Sequence, residues 1–161
     1  MPTGSRLHAE ATLHRKLVLL AVQLEGYLRH FPNCHKYTLT QQIRQAYLDV
    51  YNLVTECQKR HHRKTALTQL DVRHEQLRMM AVLAHELGLF NFSGGKTDPT
   101  TPGERRFLVL SRMIDELGRM IGGWVAHELR GDAPKNARGQ EAARPESEGL
   151  DTVGAFGAVV A

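Results

Sequence analysis

Between residues 59 and 64 the chain reads Lys59-Arg60-His61-His62-Arg63-Lys64, four fixed cations and two imidazoles in six positions. Such a run can contact phosphates, and each phosphate it neutralises releases counterions and steepens the salt dependence of binding. The same residues also suit a solvated loop whose cations complement the negative C-terminal end of a preceding helix, so the run alone leaves both readings open. Arginine continues the theme further on. Arg73 and Arg78 lie five residues apart, and Arg105, Arg106, Arg112 and Arg119 follow, with Arg112 and Arg119 seven apart and therefore on one face of a helix. A guanidinium forks onto phosphate or carboxylate; Arg73, Arg78, Arg112 and Arg119 thus suit an RNA surface, a protein interface or ordinary salt bridges.

Nine histidines invite a metal site, but their spacing does not supply one. There is no HExxH, and no histidine has glutamate three residues before it, as a di-iron bundle requires; Asp71-x-x-His74 is a single approximation. His85-Glu86 and His127-Glu128 read as polar faces near helix ends. No GxGxxG, Walker loop or GxSxG occurs. The expectation is a protein without metal, cofactor or catalytic residues. Cys34 and Cys57 form no CxxC and are too few for a disulfide scaffold, which points to a reducing compartment and hence the cytoplasm. The longest aliphatic run, Leu17 to Val22, is far below the roughly 20 residues needed to span a bilayer.

The elements that must position these residues are helices. In 161 residues, 42% are hydrophobic and only 6% aromatic, a balance that favours packed helices over short strands. Leu13, Leu17, Leu20, Leu24, Leu28 and Phe31 recur at steps of three and four and predict a first helix over about 6–31, stopped by Pro32. Thr38 as cap, with Gln41 at capping-box spacing, opens a second over 39–60, with Leu39, Ile43, Ala46, Tyr47, Val50, Leu53, Val54 and Cys57 inward. The third, over 65–89, turns Leu67, Leu70, His74, Leu77, Met80, Ala81, Ala84 and Leu87 inward and ends at Gly88 and a loop from Asn91 to Gly95. The fourth, over 102–129, starts with Thr101 as cap and Pro102 at the first helical position, and its inward stripe is Phe107, Leu110, Ser111, Ile114, Leu117, Gly118, Ile121, Trp124 and Val125.

Short connections make an antiparallel up-down-up-down four-helix bundle the economical all-α arrangement for residues 1–130. Residues 131–161, rich in Gly, Ala, Pro, Glu and Arg without helical period, read as a flexible, disordered C-terminal tail. Residues 1–130 hold 18 basic and 12 acidic groups and the remainder 3 and 5, so the predicted bundle carries +6 and the tail −2. Apolar residues off the buried stripes, namely Leu19, Val22, Val72, Leu83 and Leu108, suit an oligomer interface. Gly118 and Gly122, four apart, each cost roughly 1 kcal/mol relative to alanine inside a helix. That cost predicts a close helix approach, within the bundle or between subunits, with Trp124 in the adjoining space.

Three stretches carry a resemblance: Phe31-Pro-Asn-Cys-His-Lys-Tyr-Thr-Leu, Leu77-Arg-Met-Met-Ala-Val-Leu-Ala-His-Glu-Leu-Gly, and Ile114-Asp-Glu-Leu-Gly-Arg-Met-Ile-Gly-Gly-Trp-Val. Over about residues 10 to 130 the chain resembles the accessory variability determinant (Avd) family of diversity-generating retroelements and the related proteins encoded in intervening sequences of 23S ribosomal RNA. The Gly-Arg-x-x-Gly-x-Trp portion points to the Avd branch. The resemblance implies a four-helix bundle that assembles into a barrel-shaped homopentamer with a basic surface. It further implies binding to the element's reverse transcriptase and to its structured template RNA, or DNA, with no catalysis by the accessory itself. In that setting Arg78 and Arg119, inside the shared motifs, belong to the basic surface, while the 59–64 run rests on its charge alone. The competing expectation is a protein-only helical-bundle module that ignores nucleic acid.

Overall fold

The computed structural model describes residues 3–59, 61 and 63–131, with side chains from residue 8 onward. α1 (Thr3–Leu28) buries Leu13, Leu17, Leu20, Leu24 and Leu28 along one stripe. It ends three residues before the expected stop. The backbone tightens there through bonds from His30 N to the Tyr27 carbonyl (3.0 Å) and Phe31 N to the Leu28 carbonyl (3.1 Å), the narrower closure common at helix ends. Phe31 drops its ring into the core, and Pro32 precedes a short 3₁₀ turn, Asn33–His35.

α2 (Leu39–Lys59) starts where its pattern placed it, but not through the expected cap. The Thr38 hydroxyl donates to the His35 carbonyl (3.4 Å), while the Thr38 carbonyl accepts from Gln42 N (3.0 Å). α3 (Lys64–Glu86) stops before Leu87, which is 51% exposed and not inward as its spacing predicted. Gly88 follows with φ of 70°, a left-handed conformation that favours glycine, and the reversal drives Leu89 and Phe90 into the core. Phe90 meets Tyr27 and Phe31 edge to face, with ring centroids 6.1 and 5.3 Å away.

The stretch expected as a plain loop holds a two-residue hairpin, β1 (Phe92–Ser93) and β2 (Lys96–Thr97), paired Phe92 to Thr97 and Ser93 to Lys96. Gly94 and Gly95 make its turn at φ of 57° and 78°. Their N–H groups donate to His30, at Nδ1 and the carbonyl respectively, each over 3.1 Å, and fasten the hairpin to the end of α1. α4 (Gly103–Gly131) then begins just after Pro102, whose carbonyl accepts from Arg106 N (3.0 Å). Thr101 does not cap it; its hydroxyl turns to Asp98, and Thr100 bonds the same carboxyl more strongly, holding it below the usual carboxylate range. Gly103 has a specific reason to be glycine: a Cβ there would lie 2.0 Å from Asn91 Oδ1.

The four helices pack as α1 on α2, α2 on α3, α3 on α4 and α4 on α1, which leaves α1 and α3 on one diagonal and α2 and α4 on the other. Polar ties reinforce the apolar core across these seams. Tyr47 donates its hydroxyl to the Leu17 carbonyl (3.1 Å), and Arg44 grips Glu25 with two nitrogens at 2.7 and 3.0 Å. Buried His74 donates from Nε2 to the Ile114 carbonyl (2.8 Å), joining α3 to α4.

This histidine explains Gly118, where a Cβ would meet His74 Cε1 at 2.6 Å. The close approach is therefore a helix backbone against an imidazole ring. Gly122 differs: a Cβ there meets nothing within 4 Å, so no contact inside the chain requires that glycine. The tail expected over 131–161 lies outside the described residues except for Gly131, the last residue of α4.

Candidate nucleic-acid interface

The outward face of α4 is set by its inward one. Leu110, Ile114, Leu117 and Ile121 are buried, so Arg105, Arg112 and Arg119 stand on the opposite side, each seven residues from the next. At about 1.5 Å of rise per residue, that is roughly 10.5 Å between successive guanidinium stems.

What distinguishes these arginines is the treatment of their neighbours. α4 carries four carboxylates, and each is met by a basic side chain from another element. Glu104 accepts from His85 (3.2 Å), Asp115 lies 3.8 Å from Arg78, Glu116 pairs with Lys16 at 2.8 Å, and Glu128 pairs with Arg63 at 3.3 Å. Among the described residues Arg105, Arg112 and Arg119 have no carboxylate partner. α4 therefore presents an unneutralised positive row, and Arg130 extends the helix's basic character to its last turn. Arg106 turns the other way, donating to the carbonyls of Phe90 (3.4 Å) and Phe92 (2.9 Å) beneath the Tyr27 ring.

The residues of the basic run separate. Lys59 ends α2 and Lys64 begins α3, both exposed, as is His61; Arg60 and His62 lie outside the described residues. Arg63 is not a free phosphate ligand. Its side chain is only 15% exposed, donates to Glu128 (3.3 Å) and to the Cys57 carbonyl (3.4 Å), and stacks 5.9 Å from the centroid of Trp124. Trp124 is thus half-buried against the core and covered by a cation of its own chain. Two further arginines are also engaged. Arg73 donates to Gln76 (2.9 Å) and sits 3.8 Å from Asp49, while Arg78 holds Glu75 and faces Asp115. The Glu75 hydrogen bond and charge raise the Arg78 pKa further above its ordinary value.

Arg112 and Arg119 are therefore brought onto one open surface, and Arg63, Arg73 and Arg78 are tied down elsewhere. Arg105 joins the first pair; the signal for it was the seven-residue spacing that already linked Arg112 to Arg119. Among the described residues no other helix carries three such arginines on one face, although α1 exposes two, Arg15 and Arg29. The outward side of α2 shows Gln41, Gln45, Leu48, Asn52 and Thr55, uncharged until Lys59 in the last turn. Among the described residues no helix is long and apolar enough to cross a membrane.

Residues 13–128, a span that takes in part of α1, all of α2 and α3 and nearly all of α4, match the family model described as bAvd-like. The chain belongs to the bAvd-like family. No curated protein and no solved structure gives a match to set beside it. Membership places the chain with Avd-type accessory proteins, and the matched span contains the whole row from Arg105 to Arg119 as well as His74 and Gly118. Within this bAvd-like chain, the α4 row brings together three arginines without carboxylate partners among the described residues on one helix face.

Proposed function

We propose that this bAvd-like chain is the non-catalytic accessory subunit of a diversity-generating retroelement, a homopentamer that binds the element's reverse transcriptase and structured template RNA and supports mutagenic copying in the cytoplasm. The observation that carries the reading is the α4 row: three arginines without carboxylate partners, on a helix whose own carboxylates are all met by other elements, in a member of this family. A surplus of six positive charges over residues 1–130 multiplies with every added copy and draws a polyanion toward the assembly. Lys59 and His61, exposed at the opposite end of the bundle from the hairpin, add a secondary basic contact.

The test is a copying reaction with the reverse transcriptase and template RNA encoded beside this chain. The expected result is complementary DNA with errors at template adenines only when the protein is added, together with co-purification of enzyme and protein. Copying that is indifferent to the protein, with no association with enzyme or RNA, overturns the reading in favour of a protein-only module.

A further inference from the structure

Among the described residues twelve large apolar side chains are exposed, and eight of them lie on two helices: Val18, Leu19 and Val22 on α1, and Val72, Met79, Val82, Leu83 and Leu87 on or just after α3. α1 and α3 are therefore apolar on both faces, whereas α2 and α4 are apolar on one. A helix that is apolar all round is normally buried all round. Because α1 and α3 are diagonal in the bundle, their outward stripes face away from each other.

Among the described residues the unpaired charges at the ends of the two stripes are opposite; Glu25, which also borders the α1 stripe, is held by Arg44 at 2.7 Å. The α1 stripe is flanked by Arg15 and Arg29, exposed and without a carboxylate partner among the described residues, fourteen positions or roughly 21 Å apart. The α3 stripe is flanked by Asp71 and Glu86, fifteen positions or roughly 22 Å apart, with Glu75 between them; of the two arginines on this helix, Arg78 holds Glu75 and Arg73 sits 3.8 Å from Asp49 of α2. Arg29 and Glu86 sit at the same end of the bundle, where α1 and α3 both finish beside Phe31 and Phe90. Gly26 continues the α1 stripe toward that end, and a Cβ there meets nothing within 4 Å, which leaves room for a side chain from outside.

We infer that the outward face of α1 in one copy docks on the outward face of α3 in the next, a head-to-tail contact repeated through the assembly. The occupant of each stripe is a second copy of this chain, because the two stripes agree in length and oppose in charge. α1 and α3 run in the same direction, so copies related by a rotation about an axis parallel to the bundle bring Arg29 to the level of Glu86 and Arg15 to the level of Asp71. A contact between two different faces closes into a ring or continues as a filament; it does not stop at a two-fold dimer. It also leaves the arginine face of α4 and the mostly amide face of α2 on opposite walls. The inference rests on the oligomeric part of the proposed function and adds which surfaces make the assembly.

Light scattering on the full chain tests it with two variants, Val22→Glu on the α1 face and Leu83→Glu on the α3 face. Both positions are exposed, so circular dichroism and melting should match the wild type; Val22→Gln and Leu83→Gln serve if either does not fold. The expected wild-type mass is several times the 18.1 kDa chain. Each variant alone is expected at the mass of one chain. Mixed in equal amounts they are expected at two chains, because one good face remains on each. A wild-type multimer whose mass survives both substitutions overturns the α1-to-α3 contact and leaves the oligomer standing. Variants that dimerise alone show a two-fold contact and overturn it too. A monomeric wild type overturns both the contact and the oligomeric reading, without bearing on whether RNA binds.

Discussion

α4 and α2 occupy one diagonal of the bundle, have comparable one-sided apolar stripes, and present opposite answers to the solvent. α2 shows amides, a leucine and a threonine before the cation Lys59 in its last turn; α4 shows Arg105, Arg112 and Arg119 along its length. The difference does not come from how many charges each sequence carries, since α4 has four carboxylates of its own. It comes from where the fold sends them, against Lys16, Arg63, Arg78 and His85. Charge on a helix surface is thus decided by tertiary pairing as much as by composition.

The comparison is broken most strongly by removing the α4 row. Changing Arg105, Arg112 and Arg119 together to Gln is expected to lower affinity for a structured RNA on the order of 100-fold at about 50 mM salt, with a shallower salt slope. Changing Gln41, Gln45 and Asn52 of α2 to Ala should leave it within about twofold. Fluorescence titration reads both, and equal losses would erase the distinction between the two faces.

Within α4, Gly118 and Gly122 separate a packed side from an open one. Gly118→Leu forces a side chain into the His74 ring and should cost roughly 1–3 kcal/mol or more by urea unfolding. Gly122→Leu meets open space and should stay within about 0.5 kcal/mol. Similar losses in both variants would contradict the placement of His74.

On α2 the buried side is probed by Tyr47→Phe, which deletes the bond to the Leu17 carbonyl and should cost about 1 kcal/mol at neutral pH. Burial, with a smaller contribution from Tyr51, pushes the Tyr47 pKa up from 10.0 to about 12. The raised value favours the folded state fully below pH 10 and loses that advantage as pH rises toward 12, a slope the Phe variant should lack. Smaller still, and of opposite sign, is Thr40→Val. Its hydroxyl is buried without a hydrogen-bond partner, so removing it should raise stability by up to about 1 kcal/mol in the same unfolding experiment.

Much of the fold was legible because stripes at steps of three and four are a local property. Every leucine expected inward on α1 is buried where the period put it, as are Leu110, Ile114, Leu117 and Ile121 on α4. Leu39, Leu53, Met80, Phe107, Ser111, Gly118, Trp124 and Val125 lie at the edges of their stripes and are only half-buried. Leu87 is not buried, because a left-handed Gly88 ends the helix geometry on which the period depends. The hairpin at Gly94-Gly95 escaped because two-residue strands are too short to show alternation. The site was legible only in part. Seven-residue spacing put Arg112 and Arg119 on one face, whereas the engagement of Arg63 depends on Glu128, 65 positions away, and that of Arg73 on Asp49 in the neighbouring helix. A count of cations along the chain contains neither pairing.

The central claim is that an unneutralised arginine face recruits a polyanion. The most direct measurement is the affinity of the wild-type protein for a structured RNA as salt is raised from about 50 to 200 mM. The account predicts that log affinity falls linearly with log salt and that the slope becomes shallower by about one for each α4 arginine removed. An affinity that holds constant over that range, or a slope unchanged after all three arginines are replaced, would contradict it.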